Sequence, residues 1–169
     1  LPGMPSIANL VISGTRVTMD SPRLAGFTRD GRPYEFTATA AAQDLKKPHF
    51  IELKEIRAKM EMRDGGVTHL AGDTGVYDTK GEKVSLRDNV LVSMSNGTEV
   101  RMREATIDVK QGHIVSREPV EVRSASGQLD AREMEVLEQG AVIQFRGGVR
   151  MEMRSESSSQ ERSRAERPR

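Results

Sequence analysis

Along most of the chain, apolar and charged residues alternate with period two. Ile56, Ala58, Met60 and Met62 alternate with Arg57, Lys59, Glu61 and Arg63. Val100 and Met102 alternate with Arg101 and Arg103, and Val149, Met151 and Met153 with Arg150, Glu152 and Arg154. Successive side chains of a strand point to opposite faces, so the pattern predicts strands wet on one side only, which favours antiparallel sheet. Asp30-Gly31, Asp64-Gly65-Gly66, Asn96-Gly97 and Ser126-Gly127 fall between alternating runs and readily supply the positive φ that tight hairpins demand. Asn96-Gly97-Thr98 also matches a glycosylation sequon, but the hairpin already accounts for the dipeptide.

A repeat emerges once the alternation is marked. An apolar pair two apart is followed by a short polar corner and a second apolar series: Ile51, Leu53, then Ile56, Ala58, Met60; Val84, Leu86, then Val90, Val92, Met94; Ile114, then Val120, Val122; Ile143, Phe145, then Val149, Met151, Met153. The second series starts at 56, 90, 120 and 149, so the period is about 30 residues, the mark of a repeated unit that buries its apolar face against its neighbours. Corners such as Arg87-Asp88-Asn89 and Arg146-Gly147-Gly148 predict bulges or bends that carry the chain from one sheet to another. A sandwich or roll results, with a slot of Val, Ile, Leu and Met between its inner faces.

One stretch also fits a helix. Thr39 to Leu45 is Ala-rich, and Phe50, Leu53, Ile56 and Met60 have helical spacing as well. Pro48 interrupts a helix there, and the segment matches the later repeats, so strands are the preferred reading. The first strand is expected over Leu10 to Met19. Residues 1–9 read as a linker, 10–153 as one β-domain, and 154–169 as a disordered tail of Ser, Glu and Arg.

Composition narrows the function. Val, Ile, Leu and Phe make up 36 of 169 residues, just above the region where chains stay disordered. The fold is therefore expected to have a thin core, and with 4 Phe, 2 Tyr and no Trp a gap in it. Lys+Arg 26 against Asp+Glu 25 leaves a net charge of +1, without the basic footprint of a nucleic-acid binder. The absence of Cys excludes disulfides, thiol nucleophiles and cysteine metal sites but does not place the compartment. No apolar run reaches the roughly 18 to 20 residues that span a bilayer.

Few residues point to catalysis. His49, His69 and His113 lie 20 and 44 residues apart and lack metal-ligand spacing; they read as surface histidines in or near turns. No phosphate-binding loop, dinucleotide fingerprint or nucleophile elbow is present. A carboxylate pair of the glycosidase kind competes with the simpler reading that acids occupy the wet phase of strands. Met60, Met62, Met94, Met102, Met134, Met151 and Met153 fall largely on the inward phase, where a flexible thioether either fills gaps or lines an adaptable surface. Arg29/Arg32 and Lys46/Lys47 read as solvated loop charge, with phosphate binding as the alternative.

The stretch GFTRDGRPYEFTATAAAQDLKKPHFIELKEIRAKMEMRDGG (Gly26 to Gly66), followed by GVYDTKGEKVSL, PVEVRSASGQLDA and FRGGVRMEM, resembles the periplasmic domain of the LptC family. These are inner-membrane-anchored lipopolysaccharide transport proteins of Gram-negative bacteria, and the similarity runs from about Val11 to Met153. The resemblance implies an all-β fold, a twisted antiparallel β-jellyroll with open edge strands. It implies a carrier without enzymatic activity or cofactor. Such a carrier takes lipopolysaccharide from an ABC permease complex into an apolar slot and passes it to a soluble periplasmic bridge protein.

Carried onto this chain, the slot that takes the lipid A acyl chains is expected from Ile51, Leu53, Met60, Met62, Val90, Val92, Met94, Ile107, Val109, Val120, Val122 and Val136. The N-terminal edge that joins the permease is expected at Val11, Ser13, Thr15 and Val17, and the C-terminal edge that joins the bridge protein at Val142, Phe145, Val149 and Met151. A periplasmic protein held at the inner membrane by a helix preceding Leu1 is the implied location. The alternatives are a soluble bridge protein of the same fold class, or a carbohydrate-binding β-sandwich, against which the scarcity of aromatic rings argues.

Overall fold

Period-two alternation becomes strand almost everywhere the sequence predicts it. The computed structural model describes residues 9–154; the proposed linker, apart from Asn9, and the tail, apart from Arg154, lie outside the described residues. In chain order the strands are β1 (Asn9–Ser13), β2 (Arg16–Asp20), β3 (Arg23–Phe27), β4 (Pro33–Thr37), β5 (Ala40–Asp44), β6 (Phe50–Glu61), β7 (Val67–Asp78) and β8 (Lys83–Met94). They continue with β9 (Glu99–Asp108), β10 (His113–Ser116), β11 (Val120–Ser124), β12 (Gly127–Ala131), β13 (Glu133–Leu137), β14 (Val142–Arg146) and β15 (Arg150–Met153). A 3-10 turn, Glu138–Gly140, links β13 to β14. All pairings are antiparallel and the sheet is not closed into a barrel. The fold is the all-β, jellyroll-like architecture expected. The Ala-rich stretch is strand β5, not helix.

The sheet works as two layers because its four long strands are creased. Pairing slips between Ala71 and Thr74 on β7 and between Arg87 and Val90 on β8. Glu55, Asp88 and Asn89 have φ of 49°, 64° and 51°, in the left-handed region that Asp and Asn tolerate better than most residues. The Asn89 side-chain amide donates to Asp73 across the crease at 2.7 Å.

Beyond the crease β6 and β9 change neighbours. Ile51 and its surroundings pair with β5, whereas Arg57 to Met60 pair with β4. On β9, Val100 and Met102 pair with β11, and Thr106 to Asp108 with β10. One layer is therefore β1-β2-β5, the first half of β6 with its neighbours, then β10-β13-β14. The other is β3-β4, the second half of β6 with its neighbours, then β11-β12-β15.

The repeat is one passage from the first layer to the second. Leu53 and Ile56 are three residues apart, as are Met102 and Ala105, while Leu86 and Val90 are separated by the two-residue bulge. On β6 and β9 the three-residue step resets the period-two phase, and on β8 the two-residue bulge keeps it, so that apolar side chains face inward on both sides of the corner. Ile56, Val84, Leu86, Val90 and Ala105 are each 1% exposed, and they anchor a continuous core through the middle of the roll.

The N-terminal strand is shorter than expected. Ser13-Gly14-Thr15-Arg16 is a hairpin turn, with Gly14 at φ +60°, so Leu10 to Met19 is two strands rather than one. The turn signal was present as Ser-Gly inside an otherwise β-rich run.

Candidate functional site: an apolar cavity at the N-terminal end of the roll

Near their N-terminal end the two layers stop meeting. Val17, Met19 and Ala41 form a small cluster of their own, apart from the main core, and Leu53 packs against both. Between them lies a cavity of about 280 Å³. Small residues leave it open: Ala41 sits opposite Met19 and Leu53 in the ladder, and Ala38 and Ala41 line the space without crossing it. The β3–β4 hairpin covers the far side with Leu24, Tyr34 and Phe36. The Tyr34 and Phe36 rings meet edge to face, 5.8 Å apart. Tyr34 lies over Gly26, where a Cβ would stand 2.7 Å from its hydroxyl oxygen.

The wall is hydrocarbon and aromatic, with Ile56 beside the crease, Tyr77 and Val84 paired toward the far end of the layer, and Arg23, Thr79, Glu82 and Lys110 at the rim. Burial raises the pKa of Tyr34 and Tyr77, and the Glu82 carboxylate adds to both. The two phenols stay neutral. On the rim, Arg23 holds Glu35 through two hydrogen bonds of 3.0 Å, which lower the Glu35 pKa and raise that of Arg23. Such a wall can bury an apolar chain, at about 0.8 kcal/mol per CH₂ removed from water. Its volume is about twice the ~150 Å³ cavity that admits a benzene ring, so one alkyl segment fits as the layers stand and a bulkier cargo requires them to part.

Of the expected slot residues, the structure brings only Ile51 and Leu53 to this cavity. Val90, Val92, Ile107, Val109, Val120 and Val136 are 1–6% exposed in the packed core. Met60, Met94 and Val122 pack against that core half-buried, and Met62 is half-buried at the end of β6. Val90 and Val120 also border an open groove of about 530 Å³ rimmed by Arg101, Arg103 and Arg132. Val122 and Met151 flank a second open groove beside β15. Period two reports that a side chain points inward, but not whether the opposite layer reaches it.

The methionine reading is corrected in the same way: Met19 lines the cavity, Met102 and Met134 are core, and Met151 and Met153 are exposed. The cavity is richer in rings than expected, since Phe27, Phe36, Tyr34 and Tyr77 are four of the six aromatic residues. The alternation Tyr34-Glu35-Phe36 beside an Ala-rich strand was the available signal.

The edges are placed as follows. Val11 and Ser13 lie on β1, a true edge with every residue exposed. Thr15 is in the turn, and Val17 is on β2 between β1 and β5, so neither belongs to the edge. Val142 and Phe145 lie on edge strand β14 and Met151 on edge strand β15, with Val149 just before it. These are edges of different layers, separated by Gly147-Gly148. A fourth edge, β3, was not foreseen.

Arg32 is not solvated loop charge. It is 8% exposed, pairs with Asp30 at 2.8 Å and donates to the Glu61 carbonyl at 3.0 Å. Arg29 is exposed at the same turn, and Lys46 and Lys47 are exposed in the β5–β6 loop. Of the histidines, the His49 ring lies 4.1 Å from that of Phe50, while His69 and His113 sit near the starts of β7 and β10, close to the turns that precede them. Among the described residues, no group of three or more His, Asp or Glu side chains is placed to hold a metal, and no helix is long and apolar enough to cross a membrane.

A family model described as "Lipopolysaccharide-assembly, LptC-related" matches residues 11–154. No curated protein matches the chain.

Proposed function

The chain belongs to the LptC-related lipopolysaccharide-assembly family, and from that premise we propose that it carries lipopolysaccharide across the periplasm, burying acyl chain in the cavity beneath the β3–β4 hairpin. The observation that carries this reading is the cavity itself, apolar on its walls and charged only at its rim, a shape suited to a greasy chain with a polar head left in water. Cargo arrives from an inner-membrane ABC permease complex and leaves to a soluble bridge protein, and the protein is held at the inner membrane. Exposed edge strands support the two docking steps, because a row of unpaired N–H and C=O groups accepts a further strand. The N-terminal edge is β1, and β14 and β15 are the candidates at the other end.

Photo-crosslinking tests the proposal. Probes at Leu53 and Phe36 are expected to capture lipopolysaccharide, and probes at the outward Arg101 and Glu121 are not. Equal capture at all four positions would refute the cavity as the binding site.

A further inference from the structure

On the side away from the crease, the ends of the two layers face each other across the cavity beneath the β3–β4 hairpin. Among the described residues, one hydrogen bond joins the hairpin tip to the opposite layer there, from the Arg29 N–H to the Lys110 carbonyl at 3.2 Å. We infer that the β3–β4 hairpin is a door, and that an apolar chain enters and leaves between its tip and the β9–β10 turn. This rests on the cavity being a binding site.

Three observations support a hinged door over a fixed wall. The tip is a rigid piece. Thr28 N–H donates to the Arg32 carbonyl at 2.8 Å, Gly31 N–H to the Thr28 carbonyl at 3.0 Å, and Arg32 N–H to the Thr28 hydroxyl at 3.0 Å. The Arg32–Asp30 ion pair lies within the same turn.

The hairpin is also lightly attached. β3 is an edge strand that pairs only with β4 and contributes one buried side chain, Leu24. β4 is joined to β6 over four residue pairs, Tyr34↔Met60 to Thr37↔Arg57. Turning the hairpin about β4 keeps these ladders and the Arg32 bond to Glu61, and gives up the Arg29–Lys110 bond and the packing of Leu24 and Tyr34 against the opposite layer.

Finally, the closed form carries a defect. The Arg32 Nη2 is buried without a hydrogen-bond partner, and a buried unsatisfied donor is costly. Lifting the tip admits water to it. Lys110 and Glu82 stand at the rim on one side and Phe27, 63% exposed, on the other, so the opening is bordered by charge and by one ring.

The chain has no Cys, so Arg29→Cys with Lys110→Cys places the only two thiols on either side of the proposed opening. Uptake of N-phenyl-1-naphthylamine, which brightens in apolar surroundings, is followed by stopped flow in the reduced and oxidised double variant and in the unmodified chain. Loading by the reduced form is the reference, and the disulfide is expected to slow loading about tenfold or more relative to it. Equal loading with and without the disulfide overturns the door and leaves the cavity reading intact. Failure of every form, the unmodified chain included, to take up the dye overturns both. Hydrogen exchange in the unmodified chain is a second measurement. The Arg29 amide is expected to exchange far faster than the central amides of β8, and equal protection overturns the door even if the disulfide does not form.

Discussion

Filling the cavity from one wall separates a void from packed core. Ala41 is 4% exposed on β5 and borders the empty volume of about 280 Å³. Ala41→Leu adds three carbons to a side chain already out of water. At ~0.8 kcal/mol per buried CH₂ they stabilise the fold by about 2 kcal/mol at most, which for a chain of this size raises Tm by about 4–8 °C. Were the space already filled, the same change would force neighbours off their rotamers and cost about 1–3 kcal/mol. The sign of the effect therefore decides the question. Urea unfolding should show a higher midpoint at unchanged slope, and capture of an apolar dye should fall in the same variant. A lower midpoint, or a higher one with dye capture intact, would refute the assignment of this void as the binding cavity.

Other perturbations test the rest of the architecture. Leu86, 1% exposed beside the crease, is expected to lose about 2–5 kcal/mol as Leu86→Ala, measured by denaturant unfolding. A loss below about 1 kcal/mol would show that the middle of the roll is not packed as described. Proline at Ile143 on β14 or at Met151 on β15, side chains 42% and 57% exposed, interrupts one edge each. The variant that loses binding to the bridge protein, by pull-down, identifies the docking edge, and retention by both would refute strand addition at this end.

The Thr28 hydroxyl and the Arg32 guanidinium hold the Asp30 carboxyl below its ordinary value of 3.8 against the opposing effect of burial. That contribution is fully present above the ordinary value and is lost as pH falls through the lowered one. Asp30→Asn should therefore flatten this part of the acid limb of stability, and an unchanged acid limb would show that Asp30 does not contribute.

Much of the fold is legible because period two and turn chemistry are local. The Asp30-Gly31 and Asn96-Gly97 turns place Gly31 and Gly97 at φ +84° and +87°, a conformation glycine adopts without strain. The 30-residue recurrence marked four passages between layers, and the polar corner at Arg87-Asp88-Asn89 marked the bulge itself. The Ser13-Gly14 turn was hidden because the residues around it are as β-rich on one side as on the other. The candidate site was harder to read. Val92 and Leu53 have the same inward phase, yet Val92 is 3% exposed in packed core and Leu53 borders a void.

The chain's own order of residues determined that it would be strands, where most of them turn, which side of each is dry and, through its likeness to a family, what kind of cargo to expect. Tertiary structure decided where the dry sides fail to touch. A void exists only between elements distant in sequence, such as β4 and the first half of β8 on opposite layers, and its size depends on how far apart the creases hold them. For the same reason Arg32, polar in any local reading, became a buried anchor of the hairpin: its partners at Asp30 and Glu61 converge only after β4 has paired with β6.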